Sequence, residues 1–195
     1  MKYYILLDSS NTNLTVGLAT KKELVDYISY EAWQTQSEYM IPELDKILNK
    51  HNVDKSDIEG VVTSIGPGSY TGVRIALTIA KIIAVSLNAK IYPVSSLQIL
   101  KMDKTPSICL INARSNRSYI GVYEHDKCLL KDQIYTNDEV KKYIDEHSEY
   151  KVCGNCAYLG IDAYQSNTAK EMFSLLDVLS PCEDSRALKP VYLKD

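Results

Sequence analysis

Gly66-Pro67-Gly68-Ser69-Tyr70-Thr71-Gly72-Val73-Arg74 leads into an apolar run from Ile75 to Leu87, and the fold is read from this stretch. Three glycines and a proline break the backbone, and glycine reaches conformations that other residues avoid. Ser69 or Thr71 can then accept hydrogen bonds from the orphan amides of a helix start. Upstream, Gly60-Val61-Val62-Thr63-Ser64-Ile65 is short, β-branched and apolar, so the unit reads strand, glycine turn, helix. Units of this kind can cradle phosphate. A P-loop, however, carries Lys and then Ser or Thr after its last glycine, where Val73 and Arg74 stand here, and the spacing also fails the dinucleotide fingerprint. Phosphate binding and close packing both remain open uses of the turn.

In a helix over residues 70–87, apolar side chains cover most of the circumference and leave Arg74, Thr78 and Lys81 as a narrow polar stripe. Such a helix needs cover on two sides. Either both sides lie inside one domain, or one meets another protein.

Outward from this unit, residues 2–8, 13–19 and 23–30 read as an antiparallel meander. Residues 37–50 carry Met40, Ile41, Leu44, Ile47 and Leu48 at the spacing of an amphipathic helix. After the glycine unit come a strand over 90–94 and a short helix to residue 100 that Ser95 can cap. The polar Asp103-Lys104-Thr105-Pro106 segment is the best boundary, giving lobes over 1–102 and 106–195. The second repeats three strands over 107–113, 118–124 and 128–135, then a helix over 138–147, a strand over 151–153 and a last helix over 168–179. The charged tail after Pro181 is expected to be mobile until Val191-Tyr192-Leu193 pins it back.

A chain of 195 residues that is 45% hydrophobic can bury a core in one domain or two small lobes. With 22 basic and 25 acidic residues, no global field draws it onto nucleic acid. Its tyrosines are dispersed without a basic platform, so direct RNA stacking is not indicated. No uninterrupted apolar stretch is long enough for a membrane span and the start lacks a signal-peptide pattern, so a cytoplasmic location without membrane contact is expected. Five cysteines, an odd number, fit reduced thiols.

The 66–74 stretch resembles the signature of the TsaB family, also called YeaZ, bacterial relatives of TsaD in the synthesis of threonylcarbamoyladenosine on tRNA. Tyr4-Ile5-Leu6-Leu7-Asp8-Ser9-Ser10 is similar to the family's opening strand, Pro93-Val94-Ser95-Ser96-Leu97 to its mid-chain V-S-[ST]-L, and Pro190-Val191-Tyr192-Leu193 to its ending. The resemblance implies an α/β fold of the actin/hexokinase-like (ASKHA) class: two lobes, each with a β-β-β-α-β-type core, the second shortened. It also implies a non-catalytic scaffold that binds TsaD, and with it the ATPase TsaE, for threonylcarbamoylation of the adenosine next to the anticodon. On this view the chain has no catalytic residue, metal or cofactor of its own. ATP and magnesium belong to the partner subunits, tRNA is contacted indirectly, and the chain alone can pair as a homodimer.

The two long helices are then expected to form a four-helix bundle with TsaD. Tyr39, Met40, Ile41, Glu43 and Leu44 on the first helix and Tyr70, Val73 and Leu77 on the second would make the contact, with Arg74 and Lys81 at its rim. Asp8 lies where an ATPase of this fold places its magnesium-holding carboxylate, but Asp8-Ser9-Ser10-Asn11-Thr12 lacks the phosphate-turn glycine, and capping a turn is the simpler use. Gly68, Ser69 and Arg114 join Asp8 as possible vestigial nucleotide or phosphate contacts. Asn112-Ala113-Arg114 is similar to the family's D-A-R, with Asn in place of the acid, and Gln36 stands where relatives often have His. The three histidines are scattered, and Cys153 and Cys156 fit packing better than redox or zinc chemistry. The alternative is a small ATP-dependent kinase or ATPase of the same fold, using Asp8 and the 66–72 turn.

Overall fold

The computed structural model describes residues 1–102 and 104–193. Asp103 of the expected boundary, and the last two residues of the expected second lobe, lie outside these. Two sheets organise the chain. The first takes β1 (Tyr3–Asp8), β2 (Asn13–Ala19), β3 (Leu24–Glu31), β4 (Ile58–Ser64) and β5 (Lys90–Val94) in the order β3-β2-β1-β4-β5. β1 pairs antiparallel with β2 and parallel with β4, whose other neighbour, β5, is also parallel. The helices α1 (Gln36–Lys50) and α2 (Tyr70–Leu87) make the crossovers to β4 and β5.

Both helices cover one face of this sheet. Ile5, Leu7, Leu14, Val16, Val61 and Ile91 meet Met40, Leu44 and Ile47 of α1, and Ala76, Ala80 and Ala84 of α2. The three alanines recur every four residues, so α2 presents a smooth stripe on which a helix can lie close to the strands. Ser69 caps α2, its Oγ accepting from the Gly72 amide at 3.2 Å, and Asn88 ends it in the left-handed region at φ 53°. By length and composition alone α2 is apolar enough to span a membrane, although Arg74 and Lys81 interrupt its apolar run. Here it packs on the sheet.

The second sheet orders β6 (Ser107–Arg114), β7 (Arg117–Glu124), β8 (Lys127–Thr136) and β9 (Lys151–Cys153) as β8-β7-β6-β9. α3 (Asn137–Glu146) covers the face formed by Ile108, Leu110, Ile120 and Val122, with Val140 buried at the contact. The mixed α/β architecture with two sheets is the one expected.

The chain after α3 departs from expectation. α4 (Thr168–Leu175), shorter than the helix read to residue 179, crosses back to the first sheet, where Met172, Leu175 and Leu176 bury its other face against Tyr4, Leu6, Val62, Tyr92 and Val94. Lys101, fully buried, holds Glu171 of α4 in an ion pair of 2.5 Å. The tail is also tied down before Val191: the Cys182 amide donates to Ile91 O at 2.8 Å, and Lys81 Nζ donates to Arg186 O at 2.9 Å. Val191 N then donates to Ile65 O at 2.7 Å, and Gly66, at φ 108°, lies so near that a Cβ there would sit 2.6 Å from Val191 O. Only glycine fits that crossing.

Candidate functional site

Because β1 and β4 run parallel side by side, their outgoing turns meet. The Ser69 amide donates to Ser10 O at 2.8 Å, and Ser9 Oγ donates to Gly72 O at 2.7 Å. A Cβ on Gly68 would collide with Ser10 O, and one on Gly72 with Ser9 O. The glycines therefore serve the close approach of two backbones. The Ser69 and Gly72 amides, which a phosphate cradle would offer to a ligand, are already engaged within the chain.

Asp8 lies beneath this contact, 5% exposed, accepting from the Ser10 amide at 3.0 Å and from the Ser64 hydroxyl. Burial pushes its carboxyl pKa up, against the lowering effect of those hydrogen bonds. The geometry is that of a turn cap.

Above the turns lies a cleft of about 960 Å³. Its walls come from the β1–β2 turn (Asn11, Thr12), the β3–α1 loop and α1 start (Trp33, Gln34, Gln36, Ser37), the entry to α2 (Gly68 to Gly72), the end of β6 (Ile111 to Arg114) and the segment after β9 (Asn155, Tyr158). Gly68, Ser69 and Arg114 are thus brought together on one cleft, while Asp8 is not among the lining residues. Arg114 sits at φ 60° with its amide held by Asn112 Oδ1 at 2.8 Å, the Asn that replaces the expected acid. Gln36 is 4% exposed and donates from Nε2 to Asn11 O at 3.1 Å. Trp33 and Tyr158 escaped the sequence reading. A lone tryptophan in a polar loop was the available signal for the first; for Tyr158 there was none.

A second depression, an apolar groove, runs along α2 beside the start of α1, lined by Ser37, Tyr70, Thr71, Arg74, Ile75, Thr78 and Ile79. Around it Tyr39 and Ile41 of α1, and Tyr70, Ile82 and Val85 of α2, are all more than two-fifths exposed. Four residues expected on this face are elsewhere. Met40, Leu44, Val73 and Leu77 point inward and are at most 6% exposed, because on a helix apolar all round the spacing does not identify the inner side. Arg74 and Lys81 are engaged within the chain: Arg74 Nε donates to Tyr192 OH at 2.7 Å with its guanidinium 4.0 Å over the Tyr70 ring, and Lys81 holds the tail carbonyl of Arg186. Glu43 is paired with Lys46 at 2.9 Å.

Among the described residues no group of three or more His, Cys, Asp or Glu could hold a metal ion. Cys153 and Cys156 are both buried, and Cys153 pairs in register with Cys109 of β6 rather than facing a redox partner in its own motif. Burial pushes the Cys156 thiol up to about 12 and so keeps it protonated.

A family model described as TsaD, tRNA N6-adenosine threonylcarbamoyltransferase, matches residues 30–171. The TsaB tRNA threonylcarbamoyladenosine biosynthesis protein of Bacillus subtilis is 34% identical over 136 residues, covering 66% of this chain and 59% of that protein. An uncharacterized protein of Mycoplasma genitalium is 28% identical over 197 residues, covering 100% of this chain and 96% of its own. YeaZ from Pseudomonas aeruginosa superposes with a TM-score of 0.84 at 20% identity, over 99% of this chain and 100% of that one, which shows a shared fold.

Proposed function

We propose that this chain, which belongs to the TsaB (YeaZ) family of tRNA threonylcarbamoyladenosine biosynthesis, works there as a non-catalytic subunit that docks a TsaD-type protein through α1 and α2. The observation that carries this reading is the apolar band of exposed Ile41, Ile82 and Val85 beside the groove, continued by Ile75 and Ile79, which line the groove and are half-buried against the chain's own core. Burying roughly 800 Å² per partner is typical of a stable complex, and a band of this kind would form its dry centre. Tyr39, Ile41 and Tyr70 stay in the proposed contact; the buried Met40, Leu44, Val73 and Leu77 support it from beneath. In this reading ATP and magnesium act in the partners, a TsaE-type ATPase joins through the complex, tRNA is contacted indirectly, and the protein works in the cytoplasm. The same face would pair two copies when the partner is absent. No observation favours the kinase alternative, since Asp8 is capped beneath the turns and the turn amides are engaged.

Light-scattering size exclusion with the cognate TsaD-type protein tests the proposal. A one-to-one complex is expected, and Ile82→Glu or Val85→Glu should abolish it with an unchanged circular dichroism spectrum. Leu77→Glu should instead unfold the chain, because it places a charge in the core. Complexes that survive both surface substitutions would reject this face.

A further inference from the structure

We infer that Tyr70, Arg74 and Tyr192 form a carboxylate-receiving corner on the docking face, into which the TsaD-type partner places an Asp or Glu side chain. The inference rests on the docking reading above and adds the chemistry of one contact within it. Arg74 and Lys81 are about two turns apart on α2 and so share one side of the helix. Both hold the segment that follows α4: Lys81 Nζ donates to Arg186 O, and Arg74 Nε donates to Tyr192 OH. The groove toward α1, with Ile75 and Ile79, opens on the other side of the exposed surface of α2. The docking face therefore has two rims, α1 and the 186–192 segment, and the corner stands on the second.

The three side chains order one another. Tyr192 stacks on Tyr70 with ring centroids 5.2 Å apart and planes 25° from parallel, and the Arg74 guanidinium lies 4.0 Å over the Tyr70 ring. Tyr192 is anchored from both sides along the chain. The Val191 amide donates to Ile65 O at 2.7 Å, and Leu193 packs into the second sheet's cluster of Leu97, Ile111 and Tyr119. A ring held in this way fixes the guanidinium in turn, so little side-chain freedom is left to lose on docking. Tyr192 occupies only the Nε of Arg74; its Nη groups make no hydrogen bond or ion pair among the described residues. Tyr70, Arg74 and Tyr192 all keep an exposed face.

Arg74 is the only charged side chain among the described residues that line the groove. Docking on the apolar band takes that charge out of water, and a buried charge left without an opposite one is costly. Two free Nη groups on a planar guanidinium match the two oxygens of one carboxylate, and tyrosine with arginine is the composition of interface positions that carry much of the binding energy. A neutral partner side chain would leave the charge uncompensated, so the corner also discriminates between partners whose apolar faces are alike.

Calorimetric titration of the intact chain with the cognate TsaD-type protein reads this contact, each variant being checked for an unchanged thermal midpoint. Parent affinity should fall as salt rises from about 50 to about 500 mM. Arg74→Gln should weaken binding by ~10-fold or more at low salt and flatten that dependence, and Arg74→Lys, which lacks the fork, should not restore it. Tyr192→Phe keeps the stack but releases Nε, and should weaken binding by about 3-fold or more. Lys22→Gln removes an exposed cation at the β2–β3 turn and should bind like the parent. Among single Asp→Asn and Glu→Gln variants of the partner, one should lose as much as Arg74→Gln and lose nothing further when combined with it. The inference is overturned if Arg74→Gln binds like the parent, if Lys22→Gln loses as much, or if no partner variant is coupled to Arg74. In those cases the docking reading still stands where Ile82→Glu abolishes the complex. A parent chain that forms no complex overturns both.

Discussion

Asp8 is a carboxylate whose surroundings donate hydrogen bonds to its oxygens and resist its charge. With the folded pKa raised by burial above the unfolded value of about 3.9, Asp8 favours folding below that pH, and its contribution falls as pH rises through the interval between the two values. Asn can accept the same hydrogen bonds without a charge. Asp8→Asn is therefore expected to gain stability relative to the parent as pH rises from about 4 to 8, read from urea midpoints at matched pH. A constant difference across that range would show that the Asp8 carboxyl titrates alike folded and unfolded. The sequence made Asp8 visible as a strand-end carboxylate and left two uses for the 66–72 glycines. What decided between them was Ser9 and Ser10, some 60 positions upstream. That contact depends on β1 lying beside β4, and no local pattern encodes it.

Elements were more legible than their orientations. The strands over 13–19 and 90–94 and the helix over 70–87 have the bounds read from the sequence, because strong apolar patterns end at Asn, Gly or polar turns. The start of α3 was read one residue late, although Thr136-Asn137-Asp138-Glu139 spells a capping box: Thr136 Oγ1 accepts from the Glu139 amide at 3.3 Å, and Glu139 Oε2 accepts from the Thr136 amide at 2.7 Å. Thr136→Ala is expected to cost about 1 kcal/mol of stability by chemical denaturation, with the fold unchanged. A loss within ~0.2 kcal/mol would mean that water replaces the cap at little cost. For α2, composition announced a helix with two covered sides but not which residues faced inward. The inner side was set by Gly72, Ala76, Ala80 and Ala84, small residues that a hydrophobicity pattern undervalues.

At the scale of the whole molecule, the order of strands and crossovers could be read, and the return of the chain to its first sheet could not. The apolar stripe of α4 announces that it is buried and says nothing of where. Its target, the Tyr4, Leu6 and Val62 face, alternates with the Ile5, Leu7 and Val61 face in strands so uniformly apolar that both sides ask for cover. A variant ending at residue 167 is expected to expose that face, bind a hydrophobic dye and lose its sharp thermal transition. If it kept a sharp transition, the α1 and α2 side would suffice for folding. The return also orders events on the ribosome. Met172, Leu175 and Leu176 are synthesised long after the strands they cover. The first sheet therefore leaves the exit tunnel with one face bare, available to a chaperone, and its closure is timed by the arrival of α4.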